Sequence, residues 1–244
     1  MPTTPVPPQS ITDPLVVLFI AIPLVLAVSF VAGVWYAWKE SGASREASMR
    51  AAIAAAAGTA FWMAVSDFAA RSGWLRRWDA IPPPLALVVL AIVTLAVAIA
   101  FGPAGRRLMT LPMWMLVAVQ AFRLPLELAM HSAYERGVMP IQMSYSGRNF
   151  DIVTGATAIV VALLVATGYA GRRIVAIWNV LGAVLLVNIV AVAILSTPMF
   201  AYFGNDQLNT WIAYPPFVWL PAILVLAAMA GHLIIFRQLA NQNR

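Results

Sequence analysis

Apolar residues run along the chain in seven long stretches, near residues 14–38, 48–70, 83–102, 108–132, 151–170, 174–196 and 214–237. A hydrocarbon core of about 30 Å takes about 20 helical residues to cross. Inside lipid every backbone N–H and C=O must be bonded within its own segment, which favours helices. The stretches therefore predict transmembrane helices. Their breaks carry helix-stopping residues: Pro82-Pro83-Pro84 before the third, Gly102-Pro103 after it, Gly168 to Gly171 after the fifth and Pro215-Pro216 before the seventh. The second stretch is rich in alanine, and Ala54, Gly58 and Ala69 suit close helix packing inside a bundle. The pattern predicts an all-α polytopic membrane protein, a bundle of seven transmembrane helices in a single domain over 14–238, with short tails at 1–13 and 239–244.

Composition supports lipid as the solvent. Of the 244 residues, 62% are hydrophobic and 10% charged, whereas a soluble domain carries roughly a quarter charged residues. With no cysteine, disulfides, thiolate nucleophiles and cysteine-held metal clusters are excluded.

Orientation is read from basic residues in short loops. With the N-terminus outside, Lys39, Arg45, Arg50, Arg106, Arg107, Arg172, Arg173, Arg237 and Arg244 fall on the cytoplasmic side, against Arg71, Arg76, Arg77, Arg136 and Arg148 outside. The balance favours N-out and C-in, with the Arg71 to Arg77 segment opposing it. Met1 to Ser10 contain no basic residue, which is wrong for a cleaved signal peptide, so the first helix is expected to be retained. The net charge of +6 reads as a topology and lipid-headgroup signal. The arginines sit in pairs at helix ends without a basic stripe, so membrane lipids are expected as partners and nucleic acid is not.

The informative chemistry lies inside the membrane. On the fourth stretch Gln120, Arg123, Glu127 and His131 are spaced three, four and four apart, within a sector of about 80° at 100° per residue. A charge at the bilayer centre costs at least about 2.5–3.5 kcal/mol, so such groups face the interior and find partners. Arg123 and Glu127, at i and i+4, are expected to pair with each other. Pro125 between them frees the carbonyl of Ala121 and can kink the helix. Asp67 at the end of the second stretch, Asn149 and Asp151 at the start of the fifth, and Asn188 in the sixth fall at the same outer depth. Together they outline a polar cavity in the outer half of the bilayer. Two long outer loops, Tyr134 to Phe150 and Thr197 to Ala213, lie over it. The first alternates apolar and polar residues from Ile141 to Tyr145, as a short extended lid would.

Each feature has a plainer reading. Arg123 and Glu127 can be a structural ion pair. Asp67 and Asp151 sit at helix ends where solvation or capping explains them, Asp151 as an N-cap with Thr154 three residues on. His131 reads as interfacial, and His232 as a cytoplasmic-end residue near Arg237. Trp74, Trp78, Trp211, Tyr202, Tyr214 and Trp219 read as an interfacial aromatic belt. Lys39, the only lysine, lies at a helix end, so a retinal Schiff base is excluded. His131 and His232 lie near opposite faces, which argues against bis-histidine haem. Glu127 and His131, with Asp67 or Asp151, offer mixed ligands to a single divalent metal. No phosphate loop or serine elbow is present.

The segments Phe122-Arg123-Leu124-Pro125-Leu126-Glu127, Gly147-Arg148-Asn149-Phe150-Asp151-Ile152-Val153-Thr154-Gly155 and Pro216-Phe217-Val218-Trp219-Leu220-Pro221, followed by His232 and Arg237-Gln238-Leu239, resemble those of an uncharacterised group of bacterial inner-membrane proteins of similar length. The resemblance covers about the C-terminal half. It implies a bacterial inner membrane and brings no activity with it.

Three function classes remain open. A transporter or channel would use the fourth-helix stripe as an ion or proton relay, with Pro125 and Pro221 as helix breaks. A binding or sensing protein would hold a small molecule or ion beneath the loop. The alternative is a membrane enzyme acting on a lipid or lipophilic substrate, with Glu127 as acid or base, Arg123 orienting it and a metal assisting. The transport and binding readings share a binding cavity and are preferred over the enzyme.

Overall fold

The computed structural model describes residues 6–241, so Met1 to Pro5 of the expected N-terminal tail, and residues 242–244 with Arg244, lie outside the described residues. The described residues form helices and turns without strands. Among the described residues, six helices are long and apolar enough to cross a membrane. The first two are α1 (Pro14–Glu40) and α2 (Arg45–Arg71). Asp13 starts α1 by accepting the N–H of Leu15 at 2.8 Å, with Pro14 at the first helical position. The third is α3 (Pro84–Phe101), and the short α4 (Pro103–Leu108) follows it.

The fourth span, Met113–Glu135, is interrupted. It consists of α5 (Met113–Val119), a 3-10 turn at Gln120–Phe122 and α6 (Arg123–Glu135). The turn sits just before Pro125, whose ring crowds the carbonyl four residues back and whose missing N–H removes a ladder bond. The fifth stretch forms the shorter α7 (Ile152–Ala166), about 22 Å long at about 1.5 Å per residue, which is less than the hydrocarbon thickness. The last two spans are α8 (Arg172–Leu195) and a helix that begins with a wide, π-type stretch at Leu220–Val225 containing Pro221 and continues as α9 (Leu226–Asn241).

The final helix is the most enclosed of the six spans. Its α9 part packs on α3, α5 and α8, and its π-type stretch touches α1, α2 and α3. α6 lies between α1 and α7, and α7 follows on to α8. α3 and α8 each pack on the central helix and leave a cleft between them. Gly155 on α7 fits against the break in the fourth span, where a Cβ would come within 2.3 Å of the Leu124 nitrogen. Only a glycine lets these two backbones meet.

One end of the bundle is drawn together by basic side chains. Arg107 bonds Ser41, Arg172 bonds the carbonyl of Leu239 and Arg237 bonds the carbonyl of Ala100. The opposite end carries the two long loops and is tied by Arg136 to Asp13 at 2.7 and 2.6 Å.

Several expectations are corrected by packing. Ala54 and Gly58 point outward, and α2 buries Ser48, Ala52, Met63, Ser66 and Ala70 instead. A run of alanines has no apolar periodicity from which its packed face can be read. Trp211 is 1% exposed in a ring cluster with Phe19 and Phe217, and half-buried Trp219 donates to the Met63 carbonyl at 3.1 Å, so neither belongs to a surface belt. The loop expected to form an extended lid turns instead. Ile141–Met143 is a 3-10 turn started at Pro140, and Arg148 N–H returns to the Gln142 carbonyl at 3.2 Å. Gln142 donates to Ser196 Oγ at 2.9 Å and to the Gln207 carbonyl at 2.8 Å, locking the first long loop to the second.

Candidate functional site

The interior holds a chain of polar side chains drawn from four helices. Arg123, the first residue of α6, is 1% exposed. Its Nη2 lies 2.6 Å from Asp151 Oδ2 and its Nη1 lies 2.9 Å from His232 Nε2. A guanidinium can only donate, so His232 Nε2 accepts and the hydrogen sits on Nδ1, which meets Asn179 Oδ1 at 2.8 Å. Asn179 Nδ2 also donates to the His232 carbonyl at 3.2 Å. Gly182 on α8 provides the room: a Cβ there would stand 2.7 Å from His232 Cε1 and 2.8 Å from Thr154 Cγ2.

The two carboxylates are held differently. Asp151 stands just before α7 and does not cap it with its side chain. Instead Oδ1 accepts from Thr154 Oγ1 at 3.2 Å, while Oδ2 faces Arg123. A buried guanidinium needs a counter-charge more than the helix end needs a side-chain acceptor. Glu127, 2% exposed, accepts from Asn149 Nδ2 at 2.6 Å. Asn149 is itself fixed by donating to the Met143 carbonyl at 3.0 Å and accepting the Asp151 N–H at 3.1 Å. The turn of the first long loop therefore serves to bring an amide to Glu127.

Glu127 and Asp151 both line the cleft between α3 and α8, together with Arg123. The cavity measures about 90 Å³, room for several waters or a small head group. Its walls are otherwise largely apolar: Leu85, Val89, Ile92 and Val93 from α3 face Leu186, Ile189, Val190 and Ala193 from α8. Val93 is exposed on the outer surface of the bundle, so the cleft is open at its side. The irregular turns before Pro125 and around Pro221 both border it, with Phe122 on one and Leu220 and Pro221 on the other.

The expected stripe on the fourth span is only partly realised. Arg123 and Glu127 are both buried, but the ion pair forms between Arg123 and Asp151 and not between Arg123 and Glu127. Asp151 brings its oxygen to the guanidinium across a helix contact made close by Gly155. Gln120, 0% exposed, sits on the 3-10 turn and donates to the Ala228 carbonyl at 3.3 Å. His131 is turned away: its Nδ1 lies 2.8 Å from Ser144 Oγ and its ring stacks on Tyr145 at 4.3 Å. It is one turn closer to the loop end than Glu127, where the folded loop captures it.

Asp67 pairs with Arg71 at 2.6 Å near the end of α2, away from the cluster. Asn188 donates to the Arg148 carbonyl at 2.8 Å and holds the loop rather than the cavity. Glu127, His131, Asp67 and Asp151 therefore do not converge as a metal set, and no group of three or more histidines and carboxylates able to hold a metal occurs among the described residues.

Sequence reasoning placed His232 at a helix end, whereas it is 2% exposed and bonded to Arg123. Asn179, bonded to the His232 ring, is not among the residues the sequence pattern singles out. Each is a polar residue flanked by apolar neighbours within a long apolar span, which is the signal the sequence offers.

No family pattern, curated protein or solved structure matches this chain.

Proposed function

We propose that the chain spans a bacterial inner membrane, N-terminus outside and C-terminus in the cytoplasm, and binds a lipophilic small molecule that enters from the bilayer between α3 and α8. The observation that carries this reading is the cleft, whose walls are apolar side chains and whose inner end is Glu127, Arg123 and Asp151. Apolar walls with a few convergent polar groups are the usual form of a small-molecule site. Isolated charges in a lipid-facing protein are costly unless they serve a ligand or a partner. The ligand would be carried or sensed, its tail against the α3 and α8 side chains and its polar end among the polar groups that line the cleft. The balance of basic residues between the loops supports a cleft in the outer half of the bilayer.

A second reading is supported by the two carboxylates lining the cleft. Glu127 would act as general acid or base on a lipid-like substrate, with Arg123 holding Asp151 in place.

Native mass spectrometry of the full chain isolated in its own lipid tests the binding reading. A retained amphiphile that is lost from Ala193→Trp, which fills the cleft, is the expected result. Equal occupancy in both forms, or none in either, would sink it. A product found only with Glu127 present, and replaced by unconverted ligand in Glu127→Gln, selects the enzyme.

A further inference from the structure

The polar groups along the cleft are uneven in kind. Arg123 is held by Asp151 and His232. Thr197 lines the cleft, and its hydroxyl is already donated to the Ile194 carbonyl at 2.7 Å. Arg123 Nη2 is engaged by the Asp151 charge at 2.6 Å although it has no hydrogen-bond partner among the described residues, and beside it the cleft offers acceptors. Asn209 also borders the cleft and is 0% exposed. Its N–H is bonded to the Ser196 carbonyl at 2.7 Å and its Nδ2 to the Ala193 carbonyl at 3.2 Å, so the amide is held with its oxygen in one position. That oxygen, Oδ1, has no hydrogen-bond partner among the described residues. Buried amide oxygens are nearly always bonded, and an orphan on a residue that borders a cleft points to a donor brought in from that cleft. The second acceptor is the Glu127 carboxylate, which has no ion-pair partner within 4 Å among the described residues.

We infer that the molecule taken into the cleft is a lipophilic hydrogen-bond donor, a long-chain alcohol or another neutral hydroxyl-bearing lipid, and that Asn209 Oδ1 selects it by accepting that hydroxyl. This rests on the binding reading above. An ether or ester of the same length has no hydrogen to give and leaves the oxygen orphaned. An anionic head group would meet two carboxylates with a single arginine already engaged by one of them. A site built to bond a hydroxyl discriminates strongly against an analogue that lacks it, because its own buried group then stays unpaired.

The test uses the unmodified full chain in lipid nanodiscs, titrated with dodecan-1-ol and with 1-methoxydodecane and followed by tryptophan fluorescence and by thermal unfolding. The alcohol is expected to bind at least about tenfold more tightly than the ether. In Asn209→Leu the ratio should fall to near one with ether binding retained, whereas Asn209→Asp, which keeps an acceptor, should preserve the preference. Equal binding of the two probes to the unmodified chain would overturn the donor inference and leave the binding reading standing. Binding of neither would remove both. A preference that survives in Asn209→Leu would take the selecting role away from Asn209. Should that variant not fold, the comparison of the two probes on the unmodified chain still decides whether the site prefers a donor.

Discussion

Removing Asp151 should expose how much the bundle depends on its buried ion pair. In Asp151→Leu the Arg123 guanidinium keeps His232 but loses the carboxylate 2.6 Å away, and it remains 1% exposed. At an effective dielectric constant of about 20, charges at that separation attract by roughly 6 kcal/mol. Part of this is cancelled because Asp151 no longer has to be desolvated, so the net loss expected from breaking one side of a buried pair is about 3–5 kcal/mol. Thr154 also loses its acceptor, which adds up to about 1 kcal/mol.

The assay is reversible unfolding in mixed micelles, with the thermal midpoint as a second readout. For a chain of this size, about 2–4 °C per kcal/mol is expected. The companion double variant Arg123→Met/Asp151→Leu replaces the pair by apolar groups of similar length and should recover most of the loss, since His232 keeps its bond to Asn179. A loss under about 1 kcal/mol in the single variant, or a double variant as unstable as the sum of both singles, would refute the claim that these charges are held as a buried pair.

Gly155→Ala should force α7 away from the Leu124 backbone, since its Cβ would stand 2.3 Å from a backbone nitrogen. Overpacking of this kind costs about 1–3 kcal/mol, and unchanged stability would show that the helices are not in backbone contact. At the loop end, bonding to Arg136 holds the Asp13 carboxyl well below the usual carboxylate range, at about 2. A depressed value means that the stabilising contact is complete above the ordinary value of 3.8 and is lost as pH falls towards 2. Infrared titration should find Asp13 ionised at pH 3, and Arg136→Gln should return it to the ordinary range; a normal titration in the unmodified chain would contradict the bond. The orientation is open to single-cysteine labelling, since the chain has no cysteine of its own. Ser10→Cys should react with an impermeant maleimide in whole cells and Ser41→Cys only after permeabilisation; the reverse pattern would invert the topology.

The fourth span shows where sequence reasoning succeeded and where it stopped. A period of 3.6 residues places Gln120, Arg123 and Glu127 towards the interior, and all three are buried. Helical spacing also suggested that Arg123 pairs with Glu127, the neighbour at i+4. That pairing depended on what other helices bring to the same depth. His232 lies 109 residues from Arg123 in the chain, and Asn149 reaches Glu127 only because the loop after α6 folds into turns. Neither fact leaves a periodic trace.

The class of molecule was determined by the sequence alone. A chain with 62% hydrophobic and 10% charged residues in stretches of helical length must satisfy its backbone inside each stretch, and the helices follow wherever they pack. The tertiary structure decided the rest: which face of an alanine-rich helix is buried, which carboxylate meets the arginine, and that α3 and α8 part to form a cleft. Lipid is as apolar as leucine, so hydrophobicity does not tell a helix face that packs from one that faces the membrane. That choice is made by shape and by polar partners contributed from distant parts of the chain.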